Sequence, residues 1–99
     1  MKLTPKQKSR IRSEMSTEKP TIWVGKKGIT PQLVEEALKQ LDRRHVIKVR
    51  FLRSALVGTD RESLAKELEK ATESVLVELR GHTAVYYKPP RKKKKLKSG

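Results

Sequence analysis

Cysteine is absent from this 99-residue chain, so no disulfide, zinc–thiolate site or thiol nucleophile can be built from it. Aromatic residues are nearly as scarce: Trp23, Phe51, Tyr86 and Tyr87 are all there are. The two histidines, His45 and His82, have no neighbouring Ser or Asp in a hydrolytic pattern. No stretch approaches the ~20 apolar residues of a membrane span. The N-terminus lacks the apolar core of a secretory signal, and no basic stretch is paired with an apolar face suited to a lipid surface. These absences argue against an enzyme, a metal or cofactor site, a small-molecule substrate and a membrane partner. They lead us to expect a soluble cytoplasmic protein, monomeric and non-catalytic.

Acid is the other shortage. Eleven Asp and Glu stand against twenty-five Lys and Arg, for a net charge of +14. Six of those cations, Arg91, Lys92, Lys93, Lys94, Lys95 and Lys97, lie beyond Pro89, and setting them aside still leaves +8 on the body. A body this basic calls for a polyanion. The length allows one core, so we assign residues 1–89 to a single domain and residues 90–99 to a disordered basic tail that can bury nothing.

The most informative stretch is Val24-Gly25-Lys26-Lys27-Gly28-Ile29-Thr30-Pro31. A short apolar run from Thr21 to Val24 reads as a strand and leads into two glycines separated by two lysines. Thr30 then offers a helix N-cap, and Pro31 suits the first helical position. Strand, cationic turn and helix start together suit a sugar-phosphate backbone: glycine permits close approach, and free amides at a helix start attract anions. A bare GxxG is weak evidence, and it is not a phosphate-binding Walker loop, which needs four residues between its glycines.

Elsewhere, Thr4-Pro5-Lys6-Gln7 carries a capping-box signature for a basic helix running to about Ser16, with Lys6 and Arg10 on it. From Thr30 to about Arg44, Leu33, Val34, Ala37, Leu38 and Leu41 recur at helical spacing. Between Val46 and Leu52, Ile47, Val49 and Phe51 alternate with Lys48 and Arg50, which predicts a strand with one apolar and one cationic face. Arg53–Thr59 reads as a linker whose Ala55-Leu56-Val57 can tuck against the core. Asp60 caps a third helix, Arg61 to about Thr72. Strands from Val75 to Arg80 and from Thr83 to Lys88 flank Gly81-His82 as a hairpin. Trp23 reads as a sheet-face or core anchor rather than a base-stacking platform. Because Lys88 prefers solvent, alternation puts Tyr87 inward and Tyr86 outward, where it can stack on a base.

The order α-β-α-β-α-β-β predicts an α/β fold, a two-layer sandwich on a four-stranded mixed sheet, with the second and third helices on one face. The segments LTPKQKSRIRS, VGKKGIT, IKVRF, DRESLAKELEKAT and RGHTAVYYKP, in this order, resemble a CRM domain of the YhbY-like proteins over about residues 2–89. The resemblance implies an RNA-binding fold similar to the C-terminal domain of translation initiation factor three. It also implies a GxxG loop likened to that of KH domains, which clamps backbone nucleotides. Single-domain bacterial members associate with precursors of the large ribosomal subunit, and plant members act in intron splicing. The family motif transfers to Gly25, Lys26, Lys27 and Gly28, and to Gly81, His82 and Tyr87. Lys27 stands where asparagine is common, the Arg53–Thr59 connector is long, and the KKKK tail is additional.

The expected function is therefore RNA binding, to ribosomal RNA in ribosome assembly or on the ribosome. The expected contacts are Gly25, Lys26, Lys27, Gly28, Lys6, Arg10, Lys48, Arg50 and Tyr86, with Arg91, Lys92 and Lys93 from the tail. The alternatives are a splicing factor or general RNA chaperone, and a nonspecific DNA-binding protein, since phosphate is common to both polymers.

Overall fold

Three side-chain caps start the three long helices of the computed structural model, which describes residues 3–89. Helix α1 (Pro5–Met15) opens on a complete capping box, in which Thr4 accepts from the Gln7 amide and Gln7 accepts from the Thr4 amide. Helix α2 (Pro31–Arg44) opens where Thr30 Oγ1 accepts from Leu33 N at 3.1 Å. Helix α3 (Arg61–Thr72) opens where the Asp60 carboxylate accepts from Ser63 N at 2.7 Å. The amide and hydroxyl of Ser63 hold that carboxyl below its ordinary pKa. The cap is therefore fully present above the pH at which a free aspartate ionises, and fades as pH falls through the lowered value.

The strands are β1 (Ile22–Val24), β2 (Val46–Phe51), β3 (Val75–Arg80) and β4 (Thr83–Tyr87), and a 3₁₀ turn spans Arg53–Leu56. The sheet order is β1-β2-β4-β3. β1 pairs with β2 in parallel, while β4 is antiparallel to both β2 and β3. The C-terminal hairpin thus inserts its last strand between β2 and β3, so the second βαβ unit is a split one. The core lies between the sheet and helices α2 and α3, built from Ile22, Val24, Ala37, Leu41, Ile47, Val49, Phe51, Leu64, Ala65, Leu68, Ala84 and Tyr86. In the Arg53–Thr59 connector, Ala55 tucks into this core and Leu56 packs against it, while Val57 stays exposed.

The predicted two layers are present, and α1 adds partial cover on the opposite face, against β3. Its residues line a cleft with the outward-facing Lys48, Glu78, Arg80, Thr83 and Val85. That cover explains why Val85, facing away from α2 and α3, is nonetheless buried.

The hairpin tyrosines are the reverse of the expectation. Tyr86 is fully buried, and its hydroxyl donates to the Ala65 carbonyl of α3 at 2.8 Å. Tyr87 is half-buried on the other face. The expectation failed at Lys88, whose ammonium does not seek solvent: it donates to the Thr72 carbonyl at 2.9 Å. A cation there offsets the negative end of α3, so Lys88 and Tyr86 share the helix-facing side. Burial, with a smaller push from Glu69, raises the Tyr86 pKa and keeps its hydroxyl neutral.

Tyr86→Ala is expected to cost about 3 kcal/mol or more, and Tyr86→Phe about 1 kcal/mol for the lost hydrogen bond. Urea melts of these two variants beside Tyr87→Ala check the order, and a Tyr87→Ala loss exceeding that of Tyr86→Ala would contradict it.

Candidate nucleic-acid interface

Gly25 to Gly28 form a tight turn at the end of edge strand β1. Gly28 N donates to Gly25 O at 2.9 Å, and Gly28 sits at φ +71°. An L-residue adopts that left-handed angle only with strain. A Cβ there would meet nothing within 4 Å, so backbone strain rather than crowding is what favours glycine. Lys26 and Lys27 occupy the apex and are exposed. Among the described residues their own amides have no hydrogen-bond partner.

The start of α2 offers less to an anion than the sequence suggests. Pro31 has no N–H, and Leu33 N is taken by Thr30 Oγ1. Of the three residues opening α2, only Gln32 keeps an amide unpartnered among the described residues. What this corner offers an anion is therefore chiefly the two lysines and the turn amides.

The other expected contacts divide. Arg50 is exposed on the sheet face away from α2 and α3. Lys6 and Arg10 are exposed on α1, which lies across the open face of the sheet, against β3 and with its carboxyl end fastened to β2. Lys48 is not a free cation. Its ammonium donates to Met15 O at 2.8 Å and Glu18 O at 2.9 Å, fastening the carboxyl end of α1 to β2. Tyr86 is in the core and cannot stack on a base. Arg91, Lys92 and Lys93 lie outside the described residues.

Of the positions given by family resemblance, Gly81 turns the hairpin at φ +58°, and its carbonyl accepts from Arg61 Nη1. His82 is exposed, and its carbonyl accepts from Phe51 N at 2.7 Å. Tyr87 stays half-buried between Val46 and Val75 in the sheet register. Gly81 and His82 lie at the same end of the sheet as the basic turn, two strands across from it through Phe51 and Val24, whereas Tyr87 lies at the opposite end beside Val46.

Arg12, part of the basic run expected on the first helix, and Arg80, which sequence reasoning did not single out, line the cleft of about 600 Å³ between α1 and the sheet with Ser9, Ser13 and Ser16. The i, i+3, i+4 spacing of Ser9, Arg12, Ser13 and Ser16 on one face of α1 signals the helix side of this cleft, and nothing in the sequence signals Arg80. Sequence reasoning also misplaced Trp23, which is 53% exposed beside Arg50. Among the described residues no helix packs over β1 on that side, so the indole is not part of the core. No group of three or more potential metal-ligating side chains occurs among the described residues, and no helix among them is long and apolar enough to cross a membrane.

A family model for the CRS1 / YhbY (CRM) domain matches residues 3–88. A probable RNA-binding protein of Methanocaldococcus jannaschii is 34% identical over 88 residues, covering 89% of this chain; the chain spans 65% of that relative's length. The probable RNA-binding protein YqeI of Bacillus subtilis is 33% identical over 94 residues, covering 95% of this chain and 96% of the relative. Among solved structures, the solution structure of a Staphylococcus aureus protein, described as a candidate RNA binder, matches with a TM-score of 0.76. It is 33% identical and covers 94% of this chain and 95% of its own.

Helix α1 has no fully buried side chain, Ile11 and Met15 being half-buried, so the two Lys48 hydrogen bonds are a large part of its attachment. Lys48→Met is expected to speed amide hydrogen exchange across α1 while exchange in β2 and β4 stays slow. Unchanged α1 exchange would show that the lysine contributes little.

Proposed function

The chain belongs to the CRS1/YhbY (CRM) domain family, and from that premise we propose that it is a non-catalytic RNA-binding protein acting on ribosomal RNA, in ribosome assembly or on the ribosome. One observation carries the reading. The segments that build the β1 corner, residues 19–34 and 43–59, contain no Asp or Glu, while holding Lys26, Lys27, Arg50 and Arg53. A basic stretch with a glycine turn at its tip attracts a phosphate backbone, and the acid linked to β1, Glu36 through Gln40 and Thr21, stands on α2, on the other face of the sheet from Arg50. Two described relatives bear RNA binding in their names.

In this reading Lys26 and Lys27 neutralise neighbouring phosphates, while the turn between Gly25 and Gly28 lets the backbone come close. Arg50 extends the contact onto the sheet. Lys6 and Arg10 on α1, with the cations beyond Pro89, add long-range attraction. These groups address phosphate rather than base edges, so sequence choice from them is modest.

Lys26→Asp with Lys27→Asp is expected to nearly abolish binding of a ribosomal RNA fragment at fixed salt while leaving the melt unchanged, because exposed charges contribute little to stability. Lys26→Ala with Lys27→Ala should lower the salt slope of binding by roughly one to two. Gly28→Val retains both charges and strains the φ +71° turn. If the turn is a clamp, this variant loses affinity; if only charge matters, it does not, and a parallel melt separates either outcome from unfolding. Wild-type RNA affinity in the double aspartate variant overturns the loop assignment. Competition with duplex DNA at the same salt tests the choice of polymer.

A further inference from the structure

Backbone binding leaves Trp23 without a role. It is the chain's one tryptophan, 53% exposed, although its strand neighbours Ile22 and Val24 are buried. The strand pleat turns it to the face opposite α2 and α3. On that face its register partner is the exposed Arg50. Just past the end of β2 comes Leu52, 38% exposed, with its Cδ1 3.8 Å from where a Cβ on Gly25 would lie. An indole, a guanidinium and an aliphatic side chain thus form one small surface adjoining the Lys26–Lys27 turn.

We infer that Trp23 is a stacking platform for an unpaired nucleobase, so that the ligand of this corner is single-stranded RNA, one base on the indole and a flanking phosphate at the turn. The inference rests on the RNA reading above and adds the form of RNA bound. Gly25 follows Trp23 by two residues, about 7 Å along an extended chain, so indole and turn can engage adjoining parts of one strand. The faces of a base inside a duplex are covered by its neighbours, whereas a base in a single strand has a face to offer. Arg50 beside the indole supplies a cation for the next phosphate or a plane to prolong the stack. The absence of acid from residues 19–34 and 43–59 fits a polyanion lying along this path. Stacking accepts any base, so the platform selects strandedness and not sequence.

The test uses the full chain and a short oligouridylate at one salt concentration. Its comparators are the same strand paired with oligoadenylate, and an abasic ribose-phosphate strand of equal length. Binding is read by anisotropy of labelled strands, and stacking by the intrinsic emission of Trp23 with unlabelled ones. The single strand should bind and quench the emission, while the duplex and the abasic strand should leave it unchanged. Trp23→Ala should lose about fivefold to a hundredfold in affinity for oligouridylate and little for the abasic strand, with Trp23→Phe in between and melts unchanged. Oligouridylate binding without quenching, or with wild-type affinity in Trp23→Ala, overturns the platform while leaving the RNA reading standing. Equal quenching by the duplex overturns the single-strand assignment. No anisotropy change with any strand overturns the RNA reading itself, and the platform with it.

Discussion

The pleat of β2 governs what the molecule can bury and what it can present. Ile47, Val49 and Phe51 point into the core and are almost fully enclosed, while Lys48 and Arg50 point the other way. β2 has a strand on each side, β1 in parallel and β4 antiparallel, so its alternation is imposed on both neighbours. Trp23 emerges beside Arg50 and Tyr86 submerges beside Ile47 for the same reason. A slip of one residue in this strand would bury two cations and expose the core. The core and the basic corner are two readings of one period of two.

Lysine serves two opposite purposes here. Lys48 and Lys88 spend their ammonium groups on backbone carbonyls at the carboxyl ends of α1 and α3. There the helix dipole and carbonyl oxygens with a lone pair to spare welcome a cation. Lys26 and Lys27 stand on a turn of the backbone, exposed to solvent. A count of positive charge cannot separate these classes, because the distinction depends on which carbonyls lie within reach after folding. Ser74, buried and hydrogen-bonded to Thr72 at the same end of α3, belongs with the structural group.

Helix starts were legible because their chemistry is local. Thr4 with Gln7, Thr30 with Pro31 and Asp60 each satisfy amides within three residues, and all three caps are present. The ends of α2 and α3 fall where the sequence placed them, at Arg44 and Thr72, but the left-handed conformation of His45 and Glu73 that closes them, at φ 69° and 53° in place of the usual glycine, was not legible. The strand order was not legible either, because nothing in a hairpin's sequence says which of its strands will dock. The faces of Tyr86 and Tyr87 followed from that docking and from the partner found by Lys88. At the site, the Gly25–Gly28 turn and the exposure of Arg50 could be read directly. The exposure of Trp23 could not, as it depends on which helices pack over β1 among the described residues and on no property of the strand itself.

The sheet's two borders bear on how the protein behaves in crowded solution. β1 is only three residues long, ending where the chain turns away at Gly25, and Pro20 just before it has no amide to donate. β3, the opposite border, is twice that length, but its register slips between Leu76 and Glu78, and α1 lies against it. A stray strand seeking to extend the sheet would find one border too brief and the other kinked and partly screened. A strongly basic protein gathered onto a long polyanion is brought to high local concentration beside its own copies. These blunted borders disfavour edge-to-edge pairing between such copies.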